Sequence, residues 1–315
     1  MTLPPISAIS NPSFDLIGRV GCTPVVRLQR IPNGVVPDAV EIWCKLEWFN
    51  PGGSIKDRAA VSMVLDAEQS GRLVPGKTLL EATSGNTGIA LAWIAASRGY
   101  PLTLCMPANA SEERKRILSS YGVDVVLTDP LEGTDGAMRR ARTLKTEQPD
   151  RYVYLDQYSN PANWRAHVRT TGPELWADTE GRITDLVCAL GTSGTFMGTA
   201  RYFGEQHPHV RCHAVQPDSP FHGLEGMKHM ESAMVPAIYE PDGLVTQHIG
   251  APSEASFELV QRLAREEGLF AGVSSGAAVW AALEVGRTLE SGVVVAILPD
   301  GGGRYLSEPH VWEAR

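Results

Sequence analysis

Lys56 stands in Asn50-Pro51-Gly52-Gly53-Ser54-Ile55-Lys56-Asp57-Arg58, where proline and paired glycines make a turn and Ser54 can cap a following helix. The helix dipole disfavours a cation in that first turn. Most lysines near helix starts are solvated surface groups. Beside a phosphate site, however, such a lysine can have its ammonium pKa lowered enough to act as nucleophile and base. Thr83-Ser84-Gly85-Asn86-Thr87-Gly88 is a second candidate. Ser84 or Asn86 would make an ordinary helix cap, but the density of small donors exceeds what a cap needs and suits a carboxylate or phosphate. In Gly191-Thr192-Ser193-Gly194-Thr195 the glycine spacing alone is a weak signal, and the Gly-Lys-Ser/Thr of a P-loop is absent. Its hydroxyls nonetheless fall where a strand feeds a helix, a ready phosphate nest. Gly272-Val273-Ser274-Ser275-Gly276 opens another helix, and Pro299-Asp300-Gly301-Gly302-Gly303-Arg304-Tyr305-Leu306 can reach the same pocket.

Parallel α/β architecture would bring these loops together. Short β-branched runs alternate with helical periods along almost the whole chain. Strands are expected at 40–46, 78–81, 102–106, 123–127, 152–155, 186–190, 210–215 and 293–298, and helices at 54–70, 86–98, 111–119, 134–146, 163–178, 196–207, 253–267 and 277–289. Gly71, Gly99, Gly122 and Gly268 stand where helices would end, and Ser111 and Ser253 where they would begin. The stretch 218–250, with Pro220, Gly223, Gly226, Pro236 and Pro241, lacks periodicity and reads either as an active-site flap or as a surface excursion. In open α/β sheets ligands bind at the carboxyl ends of strands, where each of these loops falls.

Composition narrows the field. The 315 residues carry 28 Lys+Arg against 36 Asp+Glu, a net charge of −8, with no basic run, so a nucleic-acid partner is disfavoured. The length suggests two lobes with ample core. The first residues lack the basic and apolar regions of a secretory signal, and the longest apolar run, Ile89–Ala96, is too short for a membrane span. Five cysteines, Cys22, Cys44, Cys105, Cys188 and Cys212, follow neither a metal nor a disulfide spacing. They read as buried packing residues in a reducing cytoplasm. With no metal constellation, a lysine among several anion-binding helix starts suggests a phosphorylated cofactor attacked by that lysine, and pyridoxal phosphate fits.

The motifs also carry a resemblance. N-P-x-x-S-x-K-D-R at Asn50–Arg58, T-S-G-N-T-G at Thr83–Gly88, G-T-x-G-T at Gly191–Thr195, G-x-S-S-G at Gly272–Gly276 and R-Y-L-S at Arg304–Ser307 are together similar to the cysteine synthases (O-acetylserine or O-phosphoserine sulfhydrylases) among fold-type II pyridoxal-phosphate enzymes. The resemblance runs from about Asp15 to Ser307. It implies an α/β fold of two open twisted, mostly parallel sheets with helices on both faces, as in tryptophan synthase β. A small mobile domain would take 49–161, and a larger one 1–48 with 162–315. The implied activity is pyridoxal-phosphate-dependent replacement of the β-substituent of an activated L-serine by sulfide, through an aminoacrylate, to give L-cysteine. Lys56 would hold the cofactor as a Schiff base and move the α-proton. Asn86 would contact the cofactor's phenolic oxygen, Gly191, Thr192, Ser193, Gly194 and Thr195 its phosphate, and Ser274 its pyridine nitrogen. Thr83, Ser84, Asn86, Thr87 and Gln157 would receive the substrate.

Other implications concern partners and relatives. The family is usually homodimeric, and some members bind a serine acetyltransferase tail. Cystathionine β-synthase shares most of the motifs and differs mainly in taking homocysteine; a non-catalytic scaffold would be expected to have lost Lys56 or the asparagine loop. Gly21-Cys22-Thr23-Pro24 departs from the family's G-N-T-P, and Gly303 replaces an acidic residue in a segment expected to line the pocket, which bears on acceptor preference. Lys228, in Gly226-Met227-Lys228-His229-Met230, falls near an arginine of relatives that use O-phosphoserine. It reads either as a substrate ligand or as a solvated loop lysine.

Overall fold

The computed structural model describes residues 15–83 and 85–312. Two sheets organise them. The larger is built from β1 (Val25–Arg27), β2 (Val40–Leu46), β7 (Asp185–Ala189), β8 (Arg211–Pro217), β9 (Gln247–Ala251) and β10 (Gly292–Leu298), in the order β1-β2-β10-β7-β8-β9. Only β1 is antiparallel to its neighbour. The smaller sheet contains β3 (Thr78–Ala82), β4 (Leu102–Pro107), β5 (Asp124–Thr128) and β6 (Tyr152–Tyr154), in the order β5-β4-β3-β6, all parallel.

Strands buried on both faces explain the continuous apolar runs, because side chains alternate sides and each side is covered by helices. In the small sheet Leu79 joins a core with α1 (Lys56–Gln69) and α2 (Asn86–Arg98), while Leu80 next to it packs with Ala137, Met138 and Ala141 of α4 (Gly133–Glu147). In the large sheet Val294 and Ala296 face α9 (Val273–Arg287), whereas Val293, Val295 and Ile297 face α7 (Gly194–Gln206). Connecting helices are α3 (Glu112–Ser120), α5 (Pro161–Arg169), α6 (Thr171–Asp178) and α8 (Ser253–Arg262), with a short α10 (Pro309–Trp312) at the end.

Several expectations need correction. The helix expected over 163–178 is two helices, since Thr170 leaves helical geometry and Pro173 has no N–H to continue the ladder. Its start lies earlier, where Asn160 Oδ1 accepts the Ala162 N–H. The helix expected to 267 stops as α at Arg262 and finishes in a π turn over Leu263–Glu267. Two strands carry too little pattern to be read: β1 has three residues, and β9 (Gln-His-Ile-Gly-Ala) lies at the sheet edge with only Ile249 and Ala251 buried. Thus the stretch 218–250 ends in a strand. Ser111 makes no cap, and Ser253 instead accepts the Gly223 N–H. All four helix-ending glycines are left-handed, with φ of 70 to 75°. Cys44, Cys105, Cys188 and Cys212 are buried, but Cys22 is exposed. Among the described residues no helix is long and apolar enough to cross a membrane.

Candidate active site

The loops following β2, β3, β7 and β10 converge on a cavity of about 120 Å³ between the two sheets. Lys56, Thr83, Asn86, Thr87, Gln157, Gly191, Thr192, Thr195, Ser274 and Lys228 all line it. Ser193 and Gly194 lie behind that surface in the same loop, and Ser84 falls outside the described residues.

Lys56 is placed by an arrangement that accounts for the whole motif around it. Its N–H is accepted by Ser54 Oγ at 3.2 Å, and Ile55 N–H by Pro299 O at 2.9 Å, which pins the turn to the loop after β10. Asp57 accepts from the Gly52 N–H and from Trp93 Nε1, and a side chain at Gly52 would overlap both groups. Burial pushes the Asp57 carboxyl up to about 6. Arg58 is fully buried and grips Glu47 (2.8 and 2.9 Å) and Glu174 (both 2.7 Å) with paired bonds. Lys45 extends this network to Glu174 and Asp178, at 2.9 and 2.7 Å. Burial alone would raise the Glu174 pKa, but Arg58 and Lys45 more than offset it and hold it at about 2. The Lys-Asp-Arg run therefore divides into one amine that lines the pocket and two anchors.

The surroundings of Lys56 lower its pKa. Burial is the largest influence and lowers its pKa; the Asp300 carboxylate pulls upward and Arg304 downward, and the outcome lies below the ordinary lysine value. Neighbouring Cys188 is pushed up to about 12 by burial, so it stays a neutral thiol.

The asparagine loop is tied across the cleft. Asn86 Nδ2 donates to Asp300 Oδ2 at 2.6 Å, Tyr305 Oη donates to the same oxygen at 2.7 Å, and Arg304 donates to Asn86 Oδ1 and Gly52 O. Thr87 Oγ1 donates to Gln157 Oε1 at 2.7 Å, and Gln157 Nε2 to Ala82 O at 2.7 Å. Gly303 is exposed with open space around it, so the segment reaches the pocket through Pro299 and Tyr305 rather than through Gly303.

The loop 191–195 is shaped by close approaches. A side chain at Gly191 would overlap Gly226 O, and one at Gly194 would overlap Asn163, whose Nδ2 donates to Thr192 Oγ1 at 3.2 Å and Gln157 O at 2.7 Å. Ser193 adopts φ +70°, a costly left-handed conformation for a residue with a side chain, and its Oγ is buried with no protein partner. Beneath it His167 bridges Thr171 Oγ1 (2.8 Å) and Thr195 Oγ1 (3.4 Å); burial pushes its pKa well down, so the ring is neutral. Sequence reasoning gave no role to Asn163, His167 or Arg114, and it placed Asp300 in a segment reaching the pocket without assigning its partners, because those contacts join helices and loops with no local pattern to link them.

A strained loop with an orphaned hydroxyl at the start of α7, facing an amine of lowered pKa, fits a phosphorylated aldehyde cofactor. Residues 16–300 match the family model of pyridoxal-phosphate dependent enzymes. The chain belongs to that family. Among its relatives is a cysteine synthase of Aquifex aeolicus, 50% identical over 292 residues covering 91% of this chain and 89% of that one. Among solved structures, a cysteine synthase from Entamoeba histolytica superposes with TM-score 0.90 at 32% identity, covering 100% of this chain and 94% of the other. An O-acetylserine dependent cystathionine β-synthase from Helicobacter pylori gives 0.87 at 33% identity, covering 93% and 97%. Among the described residues, Lys56 and Lys228 are the lysines that line the pocket.

Lys228 is already engaged. Its Nζ lies 3.0 Å from Asp135 Oδ1 and 5.3 Å from the Tyr158 ring centroid, with a longer reach of 3.5 Å to Met234 O. It is therefore not a solvated loop lysine.

Proposed function

We propose that this pyridoxal-phosphate enzyme is a cysteine synthase, replacing the β-substituent of an activated L-serine by sulfide to give L-cysteine. The observation that carries the reading is Lys56, an amine of lowered pKa set between the asparagine loop and the strained loop 191–195. The 50% identity to a cysteine synthase supports the reaction class.

Pyridoxal phosphate supplies, when bound, an electron sink that acidifies the α-hydrogen and lets the β-substituent depart. Lys56 would hold the cofactor and then, as a free amine, take the α-proton at Nζ and later return it. Gly191, Thr192, Ser193, Gly194 and Thr195 would receive the phosphate, with the start of α7 contributing N–H groups and the dipole. Asn86 and Ser274 would orient the ring; a serine hydroxyl does not hold the ring nitrogen protonated, which suits β-elimination. Thr83, Ser84, Thr87 and Gln157 would bind the substrate carboxylate. In the exchange the Cβ–O bond breaks with release of the acid, and hydrosulfide forms the Cβ–S bond. Closure of segment 49–161 onto 1–48 and 162–315 would exclude water; the two separate sheets support that division.

The reading extends to a cytoplasmic homodimer able to bind a serine acetyltransferase tail. The buried cysteines and the absence of disulfides among the described residues are in keeping with a reducing compartment. Purified protein supplied with O-acetyl-L-serine, or failing that O-phospho-L-serine, and sulfide should form cysteine with ping-pong kinetics; absence of cysteine with both would refute the reading. A second reading, transfer to homocysteine, is favoured by a further cavity of about 370 Å³ adjoining the pocket through Thr134, Glu225, Gly226, Met227 and Tyr305, room for a longer thiol. Competition between sulfide and homocysteine separates the two.

A further inference from the structure

We propose that Asp135 is a specificity-determining residue: by neutralising Lys228 on the pocket wall, it selects an uncharged acyl ester over a phosphate monoester as the leaving group of the activated serine. This rests on the β-replacement reading above and assigns its donor class.

Besides Lys56, the pocket is lined by the cations Arg114 and Lys228. Each is matched by a carboxylate across the cleft. Arg114, buried on α3 with its guanidinium 5.3 Å from the Tyr305 ring centroid, pairs with Glu225 of the loop after β8. Lys228 of the same loop pairs with Asp135 of α4, whose other oxygen accepts the Met234 N–H at 3.2 Å. The Lys228 side chain is only 11% exposed, and Asp135 28%. Asp135 stands behind the pocket wall, outside the lining, while Lys228 and the adjacent Thr134 form it.

A phosphoserine phosphate carries roughly −1.5 to −2 charge at neutral pH. Placing it here would mean either leaving it against cations already neutralised or breaking a sheltered ion pair and stranding its carboxylate. An acetyl ester carries no charge and needs neither. Asp135→Asn retains an oxygen to accept from the Met234 N–H and removes only the charge. It thereby frees the Lys228 ammonium for a phosphate.

The test is the ratio of kcat/KM for O-phospho-L-serine to that for O-acetyl-L-serine, with sulfide, on the holoenzyme. The ratio cancels any general loss of activity. Wild type should favour the acetyl donor. Asp135→Asn and, as a second variant, Asp135→Ser should raise the ratio about tenfold or more, the scale of one charge-assisted contact, and adding Lys228→Ala should remove the gain. Wild-type preference for the phosphate donor, an unmoved ratio in both variants, or a gain that survives Lys228→Ala would overturn the assignment. If wild type makes cysteine from neither donor, the β-replacement reading has failed and the assignment falls with it.

Discussion

Asn86 donates from Nδ2 to Asp300 Oδ2 at 2.6 Å, joining the start of α2 on the small sheet to the loop that leaves the last strand of the large one. Tyr305 shares the same acceptor. Asp300→Ala would leave a half-buried amide and a buried phenol without it, and should cost about 1–3 kcal/mol of stability. Denaturant unfolding measures this; a change within about 0.5 kcal/mol, the size of an ordinary surface substitution, would show that the bridge does not hold the lobes.

Asp300 also bears on the pKa of Lys56. Its negative charge raises the lysine pKa, against the lowering by burial and Arg304. Removing it in Asp300→Asn should move the pH profile for uptake of pyridoxal phosphate by the apoprotein to lower pH, because the amine sheds its proton sooner. Arg304→Gln should move it to higher pH. Both profiles can be followed by the growth of visible absorption, and equal midpoints in all three proteins would contradict the electrostatic assignment.

The Arg58–Glu174 pair predicts acid lability. Glu174 titrates at about 2 when folded, against 4.5 for an ordinary glutamate, so its contribution is present above pH 4.5 and is lost as pH falls towards 2. Glu174→Ala should destabilise by about 3–5 kcal/mol at pH 7, since it strands part of a buried guanidinium. The gap between variant and wild type should narrow between pH 4.5 and 2. Unfolding curves across that range that remain parallel would count against it.

Gly194→Ala should impair cofactor retention more than folding. The added methyl meets Asn163, which organises Thr192 and the Gln157 carbonyl, and displacing it disturbs the loop that would hold the phosphate. We expect at least a tenfold weaker affinity for pyridoxal phosphate, about 1.4 kcal/mol, read from fluorescence titration. Unchanged affinity would separate this loop from phosphate binding.

Much of this was legible in the residues. The parallel strands announced themselves because burial on both faces favours unbroken apolar runs, as in Gly292–Leu298. Lys56, Asn86 and the loop 191–195 stood out because anion-binding helix starts require small and hydroxyl-bearing residues. The supports were hidden. Asp300 and Asn86 are 214 positions apart, and His167 and Thr195 28 apart, so no local pattern links them. Strand β9 was invisible because an exposed edge needs few apolar residues, and the partner of Lys228 is set by how α4 meets a distant loop.

The most direct measurement is borohydride reduction of protein loaded with pyridoxal phosphate, followed by peptide mass mapping. The arrangement of the site requires a single stable adduct, on Lys56, accompanied by loss of the visible absorption, and no adduct with loss of turnover in Lys56→Ala. An adduct on another lysine, or a protein that remains colourless and unmodified, would contradict it.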